Sequence, residues 1–187
     1  AVLLVFNLII LRITGNLGVA AYGIIANIAL VAVAIFTGIA QGIQPLVSRF
    51  YSTGEADSLK KVRNAANLLA LFLAAAFYAV IFLFSDQVIA VFNSEHNTAL
   101  IPLALRLYFV GFFFAGINIV MTAYLSAVEL PKQGMFLSLL RGAILLVPLV
   151  LILPQFLEMT GVWLSFPLCE LLTAGMLALL LRRSRTA

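Results

Sequence analysis

The feature that most constrains this chain is a series of long apolar stretches that few charges interrupt. About 20 apolar residues cross the hydrocarbon core of a bilayer as a helix. Continuous apolarity favours helices here, because the strands of a membrane barrel would alternate over about ten residues. Hydrocarbon offers no partner to backbone polar groups, so each stretch should close its hydrogen bonds within a helix. The stretches cover residues 1–13, 19–47, 65–84, 101–128, 135–153 and 162–181.

Composition also favours a membrane protein over a soluble one. Hydrophobic residues make up 64% of the chain and charged residues 10%, whereas a soluble domain is about half apolar and about a quarter charged. The sequence opens within an apolar stretch, with no basic segment or cleavage site of a signal peptide. It therefore reads as a chain cut at the start of a membrane helix. The predicted fold is an all-α membrane protein with six transmembrane helices in one lobe.

Charged residues predict the orientation of these helices. Basic residues concentrate on the cytoplasmic side of membrane proteins, and alternate loops share a side. We therefore expect both ends of the chain to be cytoplasmic and residues 86–100 to face outward, with His96 as a solvated surface side chain. The predicted inner side carries Arg49, Lys60, Lys61, Arg63, Lys132, Arg182, Arg183 and Arg185, and the predicted outer side carries Arg12, Asp86, Glu95 and Glu158.

Several function classes find no support in the polar residues. Nothing resembles a nucleophile with its base or a phosphate-cradling loop, which argues against an enzyme. The single cysteine, Cys169, and the single histidine are far apart, so no metal site of the usual kind is expected. The basic residues that give the chain its net charge of +4 lie at helix ends and in loops. Because no basic patch is interleaved with exposed aromatics, nucleic-acid binding is not expected.

Two of the predicted helices carry small and amide side chains along one face. At about 3.6 residues per turn, the second helix places Asn27 and Gln41 on one side, and the fourth places Asn118 and Thr122 on one side. These side chains are candidates for lining a cavity that binds a transported compound. They equally suit close helix packing, because small residues and amides commonly join membrane helices. Both interpretations remain open at this point.

Glu170 is the deepest ionisable residue in the sequence. At 1.5 Å per residue it lies about 13 Å from the outer end of the sixth helix and about 18 Å from the inner end. An ionised carboxylate at such depth costs roughly 2.5–3.5 kcal/mol, so Glu170 should face the interior of the bundle. It is a candidate site for a proton or cation that couples to transport. Alternatively it is a structural residue, either neutral or paired with a base such as Arg141.

Four segments together resemble the MATE (multidrug and toxic compound extrusion) family of exporters. Residues 38–54 resemble the end of the second helix in each half, where a Gly/Gln/Pro helix end leads into a loop with aromatic, glycine and basic residues. Residues 20–24, 139–141 and 161–167 are similar to other parts of the family, and Pro148 and Pro154 follow in the expected helix. The order and spacing cover nearly the whole chain and resemble the C-terminal six-helix half, over residues 1–187.

The resemblance implies a twelve-helix exporter built from two halves that each begin and end in the cytoplasm. It implies antiport of cationic or amphipathic compounds against H⁺ or Na⁺ in a bacterial inner membrane, with no other cofactor. The implied partners are the N-terminal half, small-molecule drugs or toxic metabolites, and the lipid bilayer. The family often places coupling carboxylates in the N-terminal half, or in the first and fourth helices of the C-terminal half. Residues 1–13 and 101–128 contain no Asp or Glu, which places a sodium site here in doubt.

Two other functions compete with export. A flippase for lipid-linked saccharides, from the same superfamily, would need several basic residues in its cavity, and only Arg141 is a fair candidate. A membrane scaffold that transports nothing is the other alternative. The polar faces of two helices and the deep Glu170 argue against a scaffold.

Overall fold

The computed structural model of the chain describes residues 2–85, 87 and 100–183. All regular secondary structure within these residues is helical, which confirms the predicted all-α membrane fold of six transmembrane helices. The predicted outer loop with His96 lies outside the described residues, except for Gln87 and the backbone of Leu100. The helices are α1 (Val2–Ser52), α2 (Ala56–Leu83), α3 (Leu100–Val110), α4 (Phe112–Ala127), α5 (Pro131–Leu139) and α6 (Leu146–Arg183), and a π-helical turn at Leu140–Ile144 joins α5 to α6.

The first two predicted membrane segments form the single element α1. Its 51 residues would extend about 77 Å at 1.5 Å per residue, more than twice the hydrocarbon thickness of about 30 Å. Gly15 breaks the helix with φ of 66° and ψ of −151°, a conformation that glycine adopts at little cost. The connection between the predicted stretches 1–13 and 19–47 is thus reduced to one non-helical residue.

The last two predicted segments are divided in a similar way. Residues 131–182 are a 52-residue stretch apolar enough to cross a membrane, but Glu158 interrupts the helix with φ of 49° and ψ of −131°. The chain turns back closely at this point, since a Cβ atom added at Gly161 would lie 2.5 Å from the backbone oxygen of Leu153. By length and composition, four helical stretches suit membrane crossing, at 18–52, 56–83, 101–127 and 131–182, and Leu4–Ile13 is a shorter apolar helix.

Helix α2 begins at Ala56, although the apolar pattern predicted a start at residue 65. The charged residues 57–63 form its first turns, which carry the helix beyond the apolar stretch. The fourth predicted helix is likewise divided into α3 and α4 at Gly111. A Cβ atom at Gly111 would lie 2.7 Å from the ring of Phe166, so the interruption coincides with a close approach to α6.

Helix α4 lies at the centre of the bundle and contacts α1, α2, α5 and α6. Aromatic rings fill the space around its beginning. The ring of Phe112 lies 6.2 Å from that of Phe36 on α1 and 4.9 Å from that of Phe109 on α3. Tyr108 stacks on Phe166 at 4.6 Å. These rings contact one another, so in this lobe they form a packed core.

Candidate functional site

A buried polar cluster joins α4, α6 and the π-helical turn. Glu170 on α6 has a side chain that is 3% exposed. Arg141, on the π-helical turn, donates to carboxylate oxygen Oε1 from Nη2 at 2.5 Å and from Nε at 3.0 Å. Asn118, on α4, donates from Nδ2 to Oε2 at 2.8 Å and to the backbone oxygen of Glu170 at 2.9 Å. Both carboxylate oxygens therefore accept hydrogen bonds from neighbouring helices.

The π-helical turn holds Arg141 to α6 through its backbone as well as its side chain. The thiol of Cys169, the residue before Glu170, donates to the backbone oxygen of Arg141 at 3.2 Å. One turn later on α6, Thr173 donates to the backbone oxygen of Cys169 at 2.8 Å. Single π-helical turns within α-helices frequently mark functional sites. Here the turn supplies the cationic partner of the deepest carboxylate.

Two side-chain oxygen atoms on α4 are buried without a hydrogen-bond partner. They are Oδ1 of Asn118 and Oγ1 of Thr122, one helical turn apart. A buried polar atom without a partner costs about 1–3 kcal/mol, and such atoms commonly mark the place of a water or an ion. Carboxylate, amide and hydroxyl oxygens are the ligand types of hard cations. The cluster thus combines an ion pair with one amide oxygen that has no partner, and the Thr122 oxygen lies one turn further along α4.

The four predicted cavity residues fall into two separate places. Asn118 lies inside the lobe, 2% exposed, and Thr122, one helical turn later, is half-buried. Asn27 and Gln41 are exposed on α1 instead. Asn27 donates to the backbone oxygen of Gly23 at 2.8 Å, which is a local bond within α1. The structure therefore does not bring Gln41 and Asn118 into one site, although the sequence pattern treated them as equivalent candidates.

The exposed face of α1 carries both small and large apolar residues around these amides. Ala34 and Gly38 lie between Asn27 and Gln41 and are exposed, and so are Leu30 and Val31. A Cβ atom at Gly38 would meet no atom within 4 Å. The face is therefore open in the lobe by itself.

A second polar feature is a cavity of about 660 Å³ at the end of the bundle that carries Tyr51 and Arg182. It lies between the first turns of α2, the end of α4 and the end of α6. Its wall includes Arg63, Asn64 and Asn67 of α2. This cavity was not predicted, because the apolar pattern leaves Arg63 outside the helix predicted over residues 65–84. Arg63 and Asn67 are four residues apart, so they share one face of a helix that contains both. This pattern indicates a polar face only if α2 is known to begin at Ala56.

Comparison with known proteins agrees with this architecture. The sequence profile of the MatE family matches residues 1–152. The multidrug export protein MepA of Staphylococcus saprophyticus is 23% identical over 176 residues, which cover 91% of this chain and 38% of MepA. The chain thus spans about two fifths of the length of that relative.

Solved structures show the same fold at low sequence identity. An outward-facing multidrug resistance MATE family transporter of the MOP superfamily aligns with a TM-score of 0.86 and 20% identity, over 98% of this chain and 42% of that chain. An inward-facing one aligns with a TM-score of 0.85 and 20% identity, over 97% and 42%. A MOP superfamily transporter from Pyrococcus furiosus, described as having a binding pocket of reversed polarity, aligns at 0.87 and 19% identity, over 98% and 42%.

Proposed function

Because this chain belongs to the MATE family, whose members are transporters and not enzymes, we propose that it is one lobe of a secondary-active multidrug exporter. The observation that carries the proposal is the match of almost the whole chain to about two fifths of a multidrug export protein. A six-helix lobe of this length suits one of two halves. The sequence resemblance favours the C-terminal half, with both ends in the cytoplasm and residues 86–100 outside.

The lobe moves as a unit against the other half, and the transported compound binds between them. Midplane sites in transporters built from repeats lie at the interface of the repeats. The similar TM-scores to an outward-facing and an inward-facing transporter, 0.86 and 0.85, support a lobe with one internal arrangement. The open face of α1 supplies the wall of the binding site, since Gln41 and Asn27 are exposed there.

Antiport requires a site for H⁺ or Na⁺, and Glu170 is the candidate within this lobe. Its pairing with Arg141 favours the structural role, because the carboxylate is already neutralised and hydrogen-bonded at both oxygens. Coupling at this position requires Arg141 to leave when the ion or proton binds. Oδ1 of Asn118, which is buried beside Glu170 without a partner, is the observation that supports the coupling role.

Dye efflux from liposomes tests the proposal. The purified full-length protein should expel a cationic dye when an inward H⁺ or Na⁺ gradient is imposed, and dissipating the gradient should stop the efflux. Movement of a lipid-linked saccharide without gradient-driven dye efflux would replace the exporter by a flippase. Transport of neither compound would favour a scaffold.

The chain alone provides a complementary test. A single lobe presents one wall of the binding site and cannot alternate access around it. Residues 1–187 expressed by themselves should therefore insert into the membrane without conferring drug resistance, while the full-length protein confers it under the same promoter. Resistance from the lobe alone, in a form shown to be monomeric, would refute the half-transporter proposal.

A further inference from the structure

The cavity at the Arg182 end of the bundle has the dimensions of a ligand site. Its volume of about 660 Å³ corresponds to roughly 20 water molecules at about 30 Å³ each. It lies between α2 and α6, with the end of α4 between them as its floor. Arg63 stands about 10 Å along α2 from Ala56, at 1.5 Å per residue. The cavity is therefore at the depth where lipid headgroups meet the ends of membrane helices.

The charged residues of this cavity have one sign. Arg63 and Arg182 both line it, and none of its described lining residues is acidic. The Arg63 side chain is held against the wall, since Nε and Nη2 lie 3.3 and 3.2 Å from Oδ1 of Asn64. Guanidinium groups bind phosphate through paired N–H donors. The cavity thus has the electrostatic character of an anion site.

The remaining lining residues indicate which other chemical groups the ligand carries. Oδ1 of Asn67 is buried and has no hydrogen-bond partner, while its Nδ2 lies 3.3 Å from the sulfur of Met121. An unpartnered buried acceptor calls for a hydroxyl or amine donor. Leu59, Leu125 and Leu181 supply an apolar wall beside these groups. A ligand that satisfies all three regions carries an anion, a hydrogen-bond donor and a hydrocarbon chain.

We propose that this cavity binds the headgroup of an anionic glycerophospholipid that also bears a hydroxyl group, of which phosphatidylglycerol is the simplest example. The phosphate lies between Arg63 and Arg182, a headgroup hydroxyl donates to Asn67, and the acyl chains continue along the apolar wall. Basic pockets between membrane helices bind anionic lipid headgroups in this way. The proposal does not depend on which compound the protein exports or on the coupling ion.

Native mass spectrometry of the full-length protein in detergent tests the site by measuring the Kd of the first bound lipid. Each arginine near a headgroup contributes about fivefold in affinity. Arg63→Gln and Arg182→Gln should therefore each weaken phosphatidylglycerol binding about fivefold. Lys61→Gln removes one positive charge from an exposed position of α2 outside the cavity. It should change the Kd less than either arginine variant does, because salt screens an exposed charge that lies outside the cavity. Equal weakening by all three variants would overturn the site in favour of general surface attraction.

The hydroxyl contact is tested with a second lipid. Phosphatidylethanol has the same charge as phosphatidylglycerol but no hydroxyl group on its headgroup. The unmodified protein should prefer phosphatidylglycerol, and Asn67→Leu should remove that preference while anion binding persists. This comparison of two lipids on one variant stays informative if an arginine variant fails to fold. An unchanged preference in Asn67→Leu would overturn the assignment of the hydroxyl.

Soluble glycerol phosphate distinguishes a lipid from a free phosphate compound. It should not displace phosphatidylglycerol at concentrations equal to the lipid, because it lacks the chains that contact Leu59 and Leu181. Displacement at equal concentration would identify a soluble phosphate ligand and refute the lipid. Absence of any bound anionic lipid in the full-length protein, while dye efflux is normal, would refute the site and leave the exporter proposal standing.

Discussion

Variants of the buried pair of Arg141 and Glu170 separate a structural role from an ion-coupling role. Glu170→Gln retains the size of the side chain but cannot ionise, so the guanidinium of Arg141 faces a neutral amide. Arg141→Gln leaves a carboxylate that is 3% exposed, with Asn118 as its remaining described donor. The double variant, with both substitutions, removes both charges and preserves the polar character of the site.

The expected magnitudes follow from the burial of the two partners. Removing one partner of a buried ion pair costs about 3–5 kcal/mol, whereas replacing both partners is often close to neutral. The Arg141 side chain is 21% exposed, so its guanidinium can turn toward solvent when Glu170 is neutral. We therefore expect Glu170→Gln to cost about 1.5–3 kcal/mol, the value of a hydrogen bond to a charged group. Arg141→Gln should cost about 3–5 kcal/mol, and the double variant less than either.

Thermal unfolding of the purified full-length protein measures these differences. Asp57→Asn provides a matched control, because the pair of Lys60 and Asp57 is 3.7 Å apart and 64% and 91% exposed. Its loss should change stability by less than about 1 kcal/mol. A double variant as unstable as Arg141→Gln would refute the reasoning, since the cost would then not come from an unpaired buried charge.

Dye efflux by the same variants decides the role of Glu170. If the pair is structural, the stable double variant exports with an unchanged dependence on pH and Na⁺. If Glu170 binds the coupling ion, Glu170→Gln and the double variant bind drug but no longer export it in response to the gradient. Normal export by Glu170→Gln with the same pH dependence would exclude the coupling role.

Three further predictions address orientation, the α1 face and the packing of α4. Cysteines placed at Glu95 and Ser58 should react from opposite sides of intact cells, Glu95 from outside, and labelling of both from one side would refute the six-span arrangement. Gln41→Ala should change the range of exported drugs without changing the amount of protein in the membrane, because the side chain is exposed. Lower expression with an unchanged range would instead indicate a packing role. Gly111→Ala should lower stability by about 1–3 kcal/mol, since its Cβ would lie 2.7 Å from an aromatic ring of α6. Gly42→Ala, with open space around the added atom, should be tolerated, and equal unfolding temperatures for the two variants would contradict the close approach.

The membrane helices could be predicted because their signal is hydrophobic length, which the sequence contains directly. The residues at which these helices begin, end or are interrupted could be predicted less well. Gly15 lies between two predicted membrane stretches, and glycine tolerates its positive φ. Glu158 adopts a similar φ although it has a side chain, so nothing local distinguishes it from other polar residues near a helix end. The early start of α2 was missed because helix formation at the charged residues 57–63 does not require an apolar pattern.

The buried cluster shows the same limit for tertiary contacts. The cost of an ionised group in hydrocarbon was sufficient to predict that Glu170 faces inward and to name Arg141 as a potential partner. Their contact also needs the π-helical turn at Leu140–Ile144, for which the sequence carries no recognised signal. Asn118 reaches Glu170 across 52 residues of sequence, and only the crossing of α4 with α6 brings the two together. For the same reason the sequence could not separate the interior Asn118 from the exposed Gln41.

In the proposed transport cycle the lobe must move as a unit and must also present polar groups to the transported compound. The separation of polar residues within this lobe suits both requirements. Helices in a bilayer gain little from the hydrophobic effect against one another, so close packing and interhelical hydrogen bonds hold them together. The bonds from Arg141 and Asn118 to Glu170 connect the central helix, the π-helical turn and α6. They stabilise the lobe internally without using the exposed amides of α1. A lobe held in this way can move as a unit and still present Gln41 and Asn27 to a compound bound between the halves.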